Sequence, residues 1–360
     1  MAGEDTTSSA LEPAPLTPLT ISSLTPEILN EKAARLIETT WKSGLPQWSW
    51  GEGVYLLAEV RYRELAGLPY PDQLKKWFLQ WNTVTSGHVN NVAPGAAALF
   101  LAARGELDAE EIETQIERWL TNPSSVTISE FGAIEHWPGS VWADTCYMWG
   151  QYRLASALTN SDPRKIDEVG QQLSAHFKHL FSEKMGLFAH GSYRGTTLWN
   201  FWGRGNAWMA LSMVDYLDAC SALNHVSPEI NHVKEVLEQQ LQSLRGFQPE
   251  YGIWDVLVDG QIENKGILET SASAGIGAAM LRAMKYLPSS KNELEKSGSL
   301  AISAALAYID EIGVLTRTSA GTVLQLIPFG YSVIRSDRLQ LWGQGLALHA
   351  ISTLLSDLKT

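Results

Sequence analysis

Residues 202–217 read WGRGNAWMALSMVDYL. The first half mixes tryptophan, glycine, arginine and asparagine, and the second is almost all apolar. A surface helix carries an apolar stripe and a polar face; a helix that is apolar all round is buried on every side. This segment has no polar face, so it predicts a fully enclosed helix. Five others repeat the pattern: WGEGVYLLAEV (50–60), NNVAPGAAALFLAA (90–103), WADTCYMWGQYRLA (142–155), ETSASAGIGAAMLRAM (269–284) and WGQGLALHAISTLL (342–355). Each opens on aromatic, polar or small residues and continues apolar and rich in Gly and Ala.

Between them lie ordinary amphipathic segments such as PEILNEKAARLIETTW (26–41), AEEIETQIERWL (109–120) and INHVKEVLEQQLQSL (230–244). Apolar spacing of three and four predicts helices at roughly 26–42, 51–66, 71–84, 92–104, 108–121, 143–159, 163–182, 204–223, 228–245, 270–287, 293–311 and 340–356. Six buried helices alternating with six amphipathic ones predict an all-α fold, an (α/α)6 barrel. Six helical hairpins close into a ring, buried helices inside and solvated ones outside. An open solenoid or a bundle is the competing architecture. The barrel is expected to form one catalytic domain over residues 26–360. A Ser/Thr/Pro-rich arm, residues 1–25, precedes it and is expected to be poorly ordered. The one strand signal is GIWDVLVDGQI (252–262), a candidate hairpin turning at Asp259-Gly260.

The chain has a net charge of −12 and no run of Lys or Arg. Nucleic acid and anionic membranes are therefore excluded as partners. No apolar run reaches membrane-spanning length. The N-terminus lacks the basic and apolar parts of a signal peptide, so the cytoplasm is the expected compartment. Two cysteines, Cys146 and Cys220, build no disulfide framework. The sequence has no HExxH, no Cys/His metal spacing, no GxSxG elbow and no Walker A loop, so neither a metal nor another cofactor is expected. Fourteen tryptophans offer flat faces suited to sugar rings, aromatic ligands or partner proteins, or fill the core.

In such a barrel the inner helices run the same way, and their N-termini gather at one mouth. Those starts hold Trp50 and Glu52, Asn90 and Asn91, Trp142 and Asp144, Trp202 and Arg204, Thr270 and Ser271, and Trp342 and Gln344. Helix N-termini attract anions. Asp144 stands out, because it sits among aromatics in HWPGSVWADTCYMWG (136–150) and desolvating a carboxylate is costly. A helix-capping role, worth about 1 kcal/mol, explains its position but not its company. Apolar surroundings would raise its pKa and keep a proton available, as a general acid/base requires. Arg204 is either a fork for a ligand carboxylate or half of a structural ion pair. Gly203 and Gly205 would let the backbone approach a ligand. His136 and His190 lie in aromatic loops, and His88 beside Asn90 is a weaker candidate. The loop 186–205 also carries Tyr193, Arg194 and Trp199.

The blocks W-A-D-T-x-Y-M from Trp142, H-G at 190–191, W-G-R-G-N-A-W at 202–208 and L-E-T-S-A-S-A at 268–274 resemble glycoside hydrolase family 105, the unsaturated rhamnogalacturonyl hydrolases. The unsaturated glucuronyl hydrolases of family 88 are related. The resemblance covers most of the chain and implies the same barrel. It implies an enzyme that hydrates the C4=C5 vinyl ether of an unsaturated uronic acid left by polysaccharide lyases. A proton reaches C4, water adds at C5, and the hemiketal collapses to release the next sugar. By this resemblance Asp144 is the general acid/base. Arg204 faces the uronate, Trp202 and Trp208 wall the pocket with Trp142, His136 and His190 line it, and Trp50 and Glu52 open the first inner helix. Asn90, or Asn91 one residue on, stands where the family often has an aspartate. Glycosidases ordinarily use two carboxylates, so Glu52, Glu135, Asp255 and Glu269 are the other acids to locate. The implied partner is a short oligosaccharide, most simply unsaturated galacturonate on rhamnose. The alternatives are an unsaturated glucuronyl hydrolase for ulvan or glycosaminoglycan fragments, with Arg194 near a sulfate, a catalytically silent sugar-binding barrel, and a histidine-based epimerase. No residue pattern speaks to oligomeric state.

Overall fold

The computed structural model describes residues 13–358 apart from 82, 85 and 86. Six helices form an inner ring: α2 (Trp50–Ala66), α4 (Pro94–Ala102), α6 (Ala143–Asn160), α8 (Gly203–Ala222), α10 (Thr270–Ala283) and α13 (Leu341–Asp357). Each packs on the next, and α13 packs back on α2, so the ring closes. Closure decides for the barrel over the open solenoid. Every residue from Gly203 to Leu217 is buried, as the absence of a polar face requires.

The outer helices are α1 (Pro26–Ser43), α3 (Asp72–Leu79), α5 (Glu110–Leu120), α7 (Pro163–Leu180), α9 (Ile230–Gly246) and α11 (Lys291–Leu306). On α9 the buried residues Val233, Val236, Leu237, Gln240, Leu241 and Leu244 trace one stripe at helical spacing. Glycine sets how closely neighbouring helices approach, within the inner ring and between the two rings. A Cβ on Gly53 would meet the Pro94 nitrogen at 2.6 Å, and one on Gly277 would meet the Gly298 carbonyl at 2.9 Å. Such contacts explain why the inner segments are so rich in small residues.

The observed helices are shorter than expected at α3, which ends at Leu79, and at α11, which ends at Leu306. The predicted 252–262 hairpin does not form. The first leg makes only isolated bridges, Asp255 with Leu268 and Leu257 with Trp202, and neighbours take its hydrogen bonds: Val258 donates to Phe201 O (3.0 Å) and Val256 to Ile267 O (2.7 Å). Gly260 does turn the chain (φ +73°), yet the return leg begins as a 3-10 turn, Ile262–Asn264. A hairpin is found elsewhere, joining β3 (Gly191–Tyr193) to β4 (Thr196–Leu198). Its two central residues, Arg194 and Gly195, both have positive φ (48° and 76°), as a type I′ turn needs. Arg-Gly carries that geometry without the usual Asn-Gly or Asp-Gly signal. A second small ribbon pairs β1 (Phe181–Ser182) with β2 (Leu187–Phe188). A one-turn helix, α12 (Phe329–Ser332), lies in the long connection before α13.

Residues 1–12 of the arm lie outside the described residues. Residues 13–25 run along the barrel. Leu16 N donates to Tyr308 Oη (2.8 Å), Arg317 donates to Pro13 O (3.1 Å), and Leu24 is buried. Among the described residues no helix is long and apolar enough to cross a membrane.

Candidate active site

The starts of α2, α6 and α8 and the turn before α4 line a cavity of about 380 Å³, Asp144 among them. Helix α6 starts where it does because the preceding residues are held extended. Ser192 N donates to Val141 O (2.8 Å), Ala143 N donates to His190 O (3.0 Å), and His190 N donates to Asn200 O (2.9 Å). The first two bonds tie the 187–193 segment to the start of α6, and the third ties it to the residues before α8. They set the His190 side chain beside Asp144, with Nε2 3.5 Å from Oδ2. Asn206 of the WGRGN block fastens the same strand to α8. Its side chain accepts from Phe188 N (3.0 Å) and donates to Phe188 O (2.9 Å).

Aromatic rings build the wall. Trp142 lies flat on His136, centroids 3.9 Å apart and planes 5° apart. His88 meets His136 edge to face and leans on Trp137. Trp50 stacks on Trp342 at 4.4 Å across the mouth. His136 Nδ1 is 2.9 Å from the Thr145 hydroxyl, which donates to Asn90 Oδ1 (3.1 Å). Asn90 and Asn91 both line the cavity. Asn90 is tied to α6, whereas Asn91 Oδ1 receives the Trp50 N–H that opens α2 (3.3 Å).

Arg204 lies over the Trp202 ring at 4.4 Å and near the Trp342 ring at 5.5 Å. Its guanidinium donates to Glu269 Oε2 (3.1 Å), Ser319 O (3.1 Å), Ala320 O (3.0 Å) and Thr322 Oγ1 (3.2 Å). Glu269, one of the candidate second acids, is thereby committed to the arginine and to Ser271 and Ser319. The ion-pair reading of Arg204 therefore holds, though the residue also lines the cavity. Its Nε has no partner among the described residues.

Four side chains around this cavity keep a buried polar atom unpartnered: Asp144 Oδ2, Trp202 Nε1, Arg204 Nε and His88 Nε2. Buried polar atoms are normally hydrogen-bonded, so such a cluster marks a place prepared for a ligand. Asp144 Oδ2 lacks a hydrogen bond, and the N-cap Trp142 makes no side-chain cap, so capping does not account for the aspartate. Its pKa departs from expectation. Burial pushes the carboxyl up, but His190, then His136 and Arg204, outweigh it and hold it below its ordinary value. The sequence shows the aromatics around Asp144 but not which histidines and arginine fold against it. Burial pushes His136 down to about 3, so it is neutral near pH 7.

Several expected residues lie elsewhere. Trp208 does not wall the cavity. It is fully buried and stacks on Tyr147 at 4.6 Å inside the barrel, because it falls one turn beyond Arg204 on α8. Gly203 and Gly205 serve packing, not a ligand, since Cβ atoms there would meet Ala272 and Trp202 at 3.1 Å. Glu135 accepts from Gly139 N (2.8 Å) on a separate surface hollow that also holds Arg194. Asp255, half-buried, and Glu52, buried, lie outside the cavity lining, and burial pushes them up to about 6 and about 7. Sequence reading missed Trp137, Thr145 and the connection before α13, which supplies Ser319, Thr322 and Tyr331. The length of that connection was the available signal. Among the described residues no group of three or more His, Cys, Asp and Glu is placed to hold a metal.

Residues 21–357 match the model of Glycosyl Hydrolase Family 88. The chain is 27% identical over 339 residues to the unsaturated rhamnogalacturonyl hydrolase YesR of Bacillus subtilis (strain 168), covering 90% of this chain and 94% of that one. It is 25% identical over 228 residues to the unsaturated 3S-rhamnoglycuronyl hydrolase of Alteromonas sp. (strain LOR), covering 59% of this chain and 51% of that one. A solved structure from Salmonella enterica, described as a possible member of family GH105, superposes with a TM-score of 0.77 at 20% identity, covering 93% and 95% of the two chains.

Proposed function

Because the chain belongs to glycosyl hydrolase family 88, we propose that it hydrolyses short lyase-generated oligosaccharides at a 4,5-unsaturated uronyl end, with Asp144 as general acid/base. The observation that carries the reading is the buried, unpartnered Asp144 Oδ2 facing an aromatic-walled cavity. With the uronate bound, whose like charge raises the Asp144 carboxyl, the protonated acid gives its proton to C4. Water adds at C5 and returns a proton to Asp144, and the hemiketal collapses to free the next sugar. One acid serves both steps, so the separation rule for paired carboxylates does not apply. This suits a site where Glu269 is spent on Arg204 and Asn90 is an amide held by Thr145.

The cavity is small among ligand pockets, which span about 300–1,000 Å³. It would enclose one uronyl ring between Trp142 and Trp202. The second sugar would lie at the rim against Trp137, which is half exposed. Likeness to YesR along most of both chains favours unsaturated galacturonate on rhamnose. Arg194 lies off the cavity, so it gives the sulfated alternative no support. The buried free thiols Cys146 and Cys220 suit a cytoplasmic enzyme.

The test follows the ultraviolet absorbance of the conjugated double bond across a panel of lyase-generated disaccharides. Loss of absorbance with the rhamnose-linked galacturonate is expected to be fastest. Asp144→Asn should fold normally and lose about 10²–10⁴-fold in kcat. Near-normal turnover by that variant would sink the assignment. Binding without turnover of every panel member by the unaltered chain would point to a silent sugar-binding barrel.

A further inference from the structure

We propose that Tyr331, far along the chain from the helix that carries the acid, fixes the tautomer of His190 and through it positions Asp144. The proposal rests on the function given above. Tyr331 and His190 are both fully buried. The tyrosine hydroxyl lies 2.8 Å from His190 Nδ1. It also accepts the Gln325 N–H at 3.5 Å. Its own hydrogen then has one acceptor within reach, the imidazole nitrogen. Burial pushes the Tyr331 phenol well above its ordinary range, so that hydrogen is present at any working pH.

With Nδ1 occupied as an acceptor, the neutral ring carries its proton on Nε2. Nε2 faces Asp144 Oδ2 at 3.5 Å, and neither atom has another hydrogen-bond partner among the described residues. A modest tightening on substrate binding would make this a direct N–H to carboxylate bond. The rest of the surroundings leave the ring no competing partner. The Trp142 and Trp202 rings flank it at 5.1 and 4.3 Å. His136 lies beyond Trp142, and Arg204 beyond Trp202 is engaged by Glu269.

Tyr331 is thus a positioning residue. It holds the Nε2–H form, which favours the Asp144 carboxylate and aims it. The connection that carries Tyr331 also supplies Ser319 and Thr322 to Arg204. One segment therefore steadies both charged groups at the mouth.

The test uses Tyr331→Phe, which removes only the hydroxyl, with two readouts. Imidazole nitrogen chemical shifts in the substrate-free protein should show His190 protonated on Nε2 and bare on Nδ1. In Tyr331→Phe the Nδ1–H form becomes available, and its Nε2 lone pair then faces Asp144 and favours the carboxylic acid. Asp144 keeps its proton to higher pH, so the alkaline limb of kcat/KM should move up by about one pH unit. At the same time kcat should fall roughly tenfold or more, with KM little changed. A proton on Nδ1 in the unaltered protein overturns the proposal, as does a variant with unmoved pH limbs. If the variant does not fold, the nitrogen spectrum of the unaltered protein decides alone. A chain with no vinyl-ether turnover would remove the proposed function and leave that spectrum to be read by itself.

Discussion

The barrel carries a cavity at each end. Where the inner helices begin, about 380 Å³ is enclosed around Asp144; where they end, about 680 Å³ lies against Arg61, Asp215, Asp218, Arg282 and His349. The larger cavity holds more charge, yet its charges answer one another. Asp215 accepts from Arg282 and Gln151 and lies 3.7 Å from Arg61. Asp218 accepts from Arg282 (2.7 Å) and Tyr286 (2.5 Å), and His349 accepts from Arg282 (2.9 Å). None of the described side chains lining it keeps a buried polar atom without a partner. At the mouth, Asp144, Trp202, Arg204 and His88 all do. Cavity size does not locate the chemistry here; unspent hydrogen-bonding capacity does.

That contrast is easiest to break with stability. Asp215→Ala takes the buried carboxylate from the half-buried Arg61 and leaves Arg282 with Asp218 alone; breaking a fully buried pair costs about 3–5 kcal/mol, so a loss of up to about 3 kcal/mol is expected. Chemical denaturation should show that loss, while turnover per folded molecule stays unchanged. Asp144→Asn should do the reverse for function: turnover is lost, while stability falls less than in Asp215→Ala, because Arg204 keeps Glu269 and only the 3.5 Å His190 contact is weakened. If Asp215→Ala abolished turnover in folded protein, the two ends would not be separate in function.

Sequence alone reveals the two ends unequally. The alternation of all-apolar and amphipathic segments gives the ring, because burial on every side is written into each segment's own composition. It also gives the mouth, since the odd residues stand at the helix starts. Asp144, Trp142, His136, Trp202, Arg204, Asn90 and Trp50 meet there. What escapes is pairing over distance. That Glu269 would neutralise Arg204, or that Tyr331 would reach His190, depends on which loop folds over the mouth. Trp208 misleads for the opposite reason: it shares a sequence block and a face of α8 with Arg204, but lies one turn deeper in the barrel.

The second test concerns protonation at the mouth. In the free site Asp144 is held low by His190, His136 and Arg204 against the effect of burial. A bound uronate adds a negative charge beside it, and a like charge raises a carboxyl pKa. Because kcat/KM reports the free enzyme and kcat the complex, the alkaline limb of kcat should lie at higher pH than that of kcat/KM. Parallel pH profiles measure this directly. A kcat limb at equal or lower pH would mean that the substrate carboxylate does not sit near Asp144.

The smallest effect sets a carboxylate of one end against a carboxylate of the other. Asp215 is held well below the usual carboxylate range, since Arg282 and Arg61 outweigh the upward push of burial. Its stabilising contribution is present above the unfolded pKa, about 3.9, and is lost as pH falls below that. Glu52, in the first turn of α2, is buried with only backbone donors, its own and that of Gln47 (3.3 Å). Burial pushes it up to about 7. An acid raised on folding behaves oppositely: stability is full below about 4.3, falls as pH rises to about 7, and is then level. Glu52→Gln removes that titration and keeps the acceptor for Gln47. It should leave stability unchanged at about pH 4 and raise it above pH 7 by on the order of 2 kcal/mol. Urea unfolding at the two pH values reads the difference. An equal effect at both would mean that Glu52 is ionised in the fold throughout, and that the mouth end holds a compensating charge which its geometry does not provide.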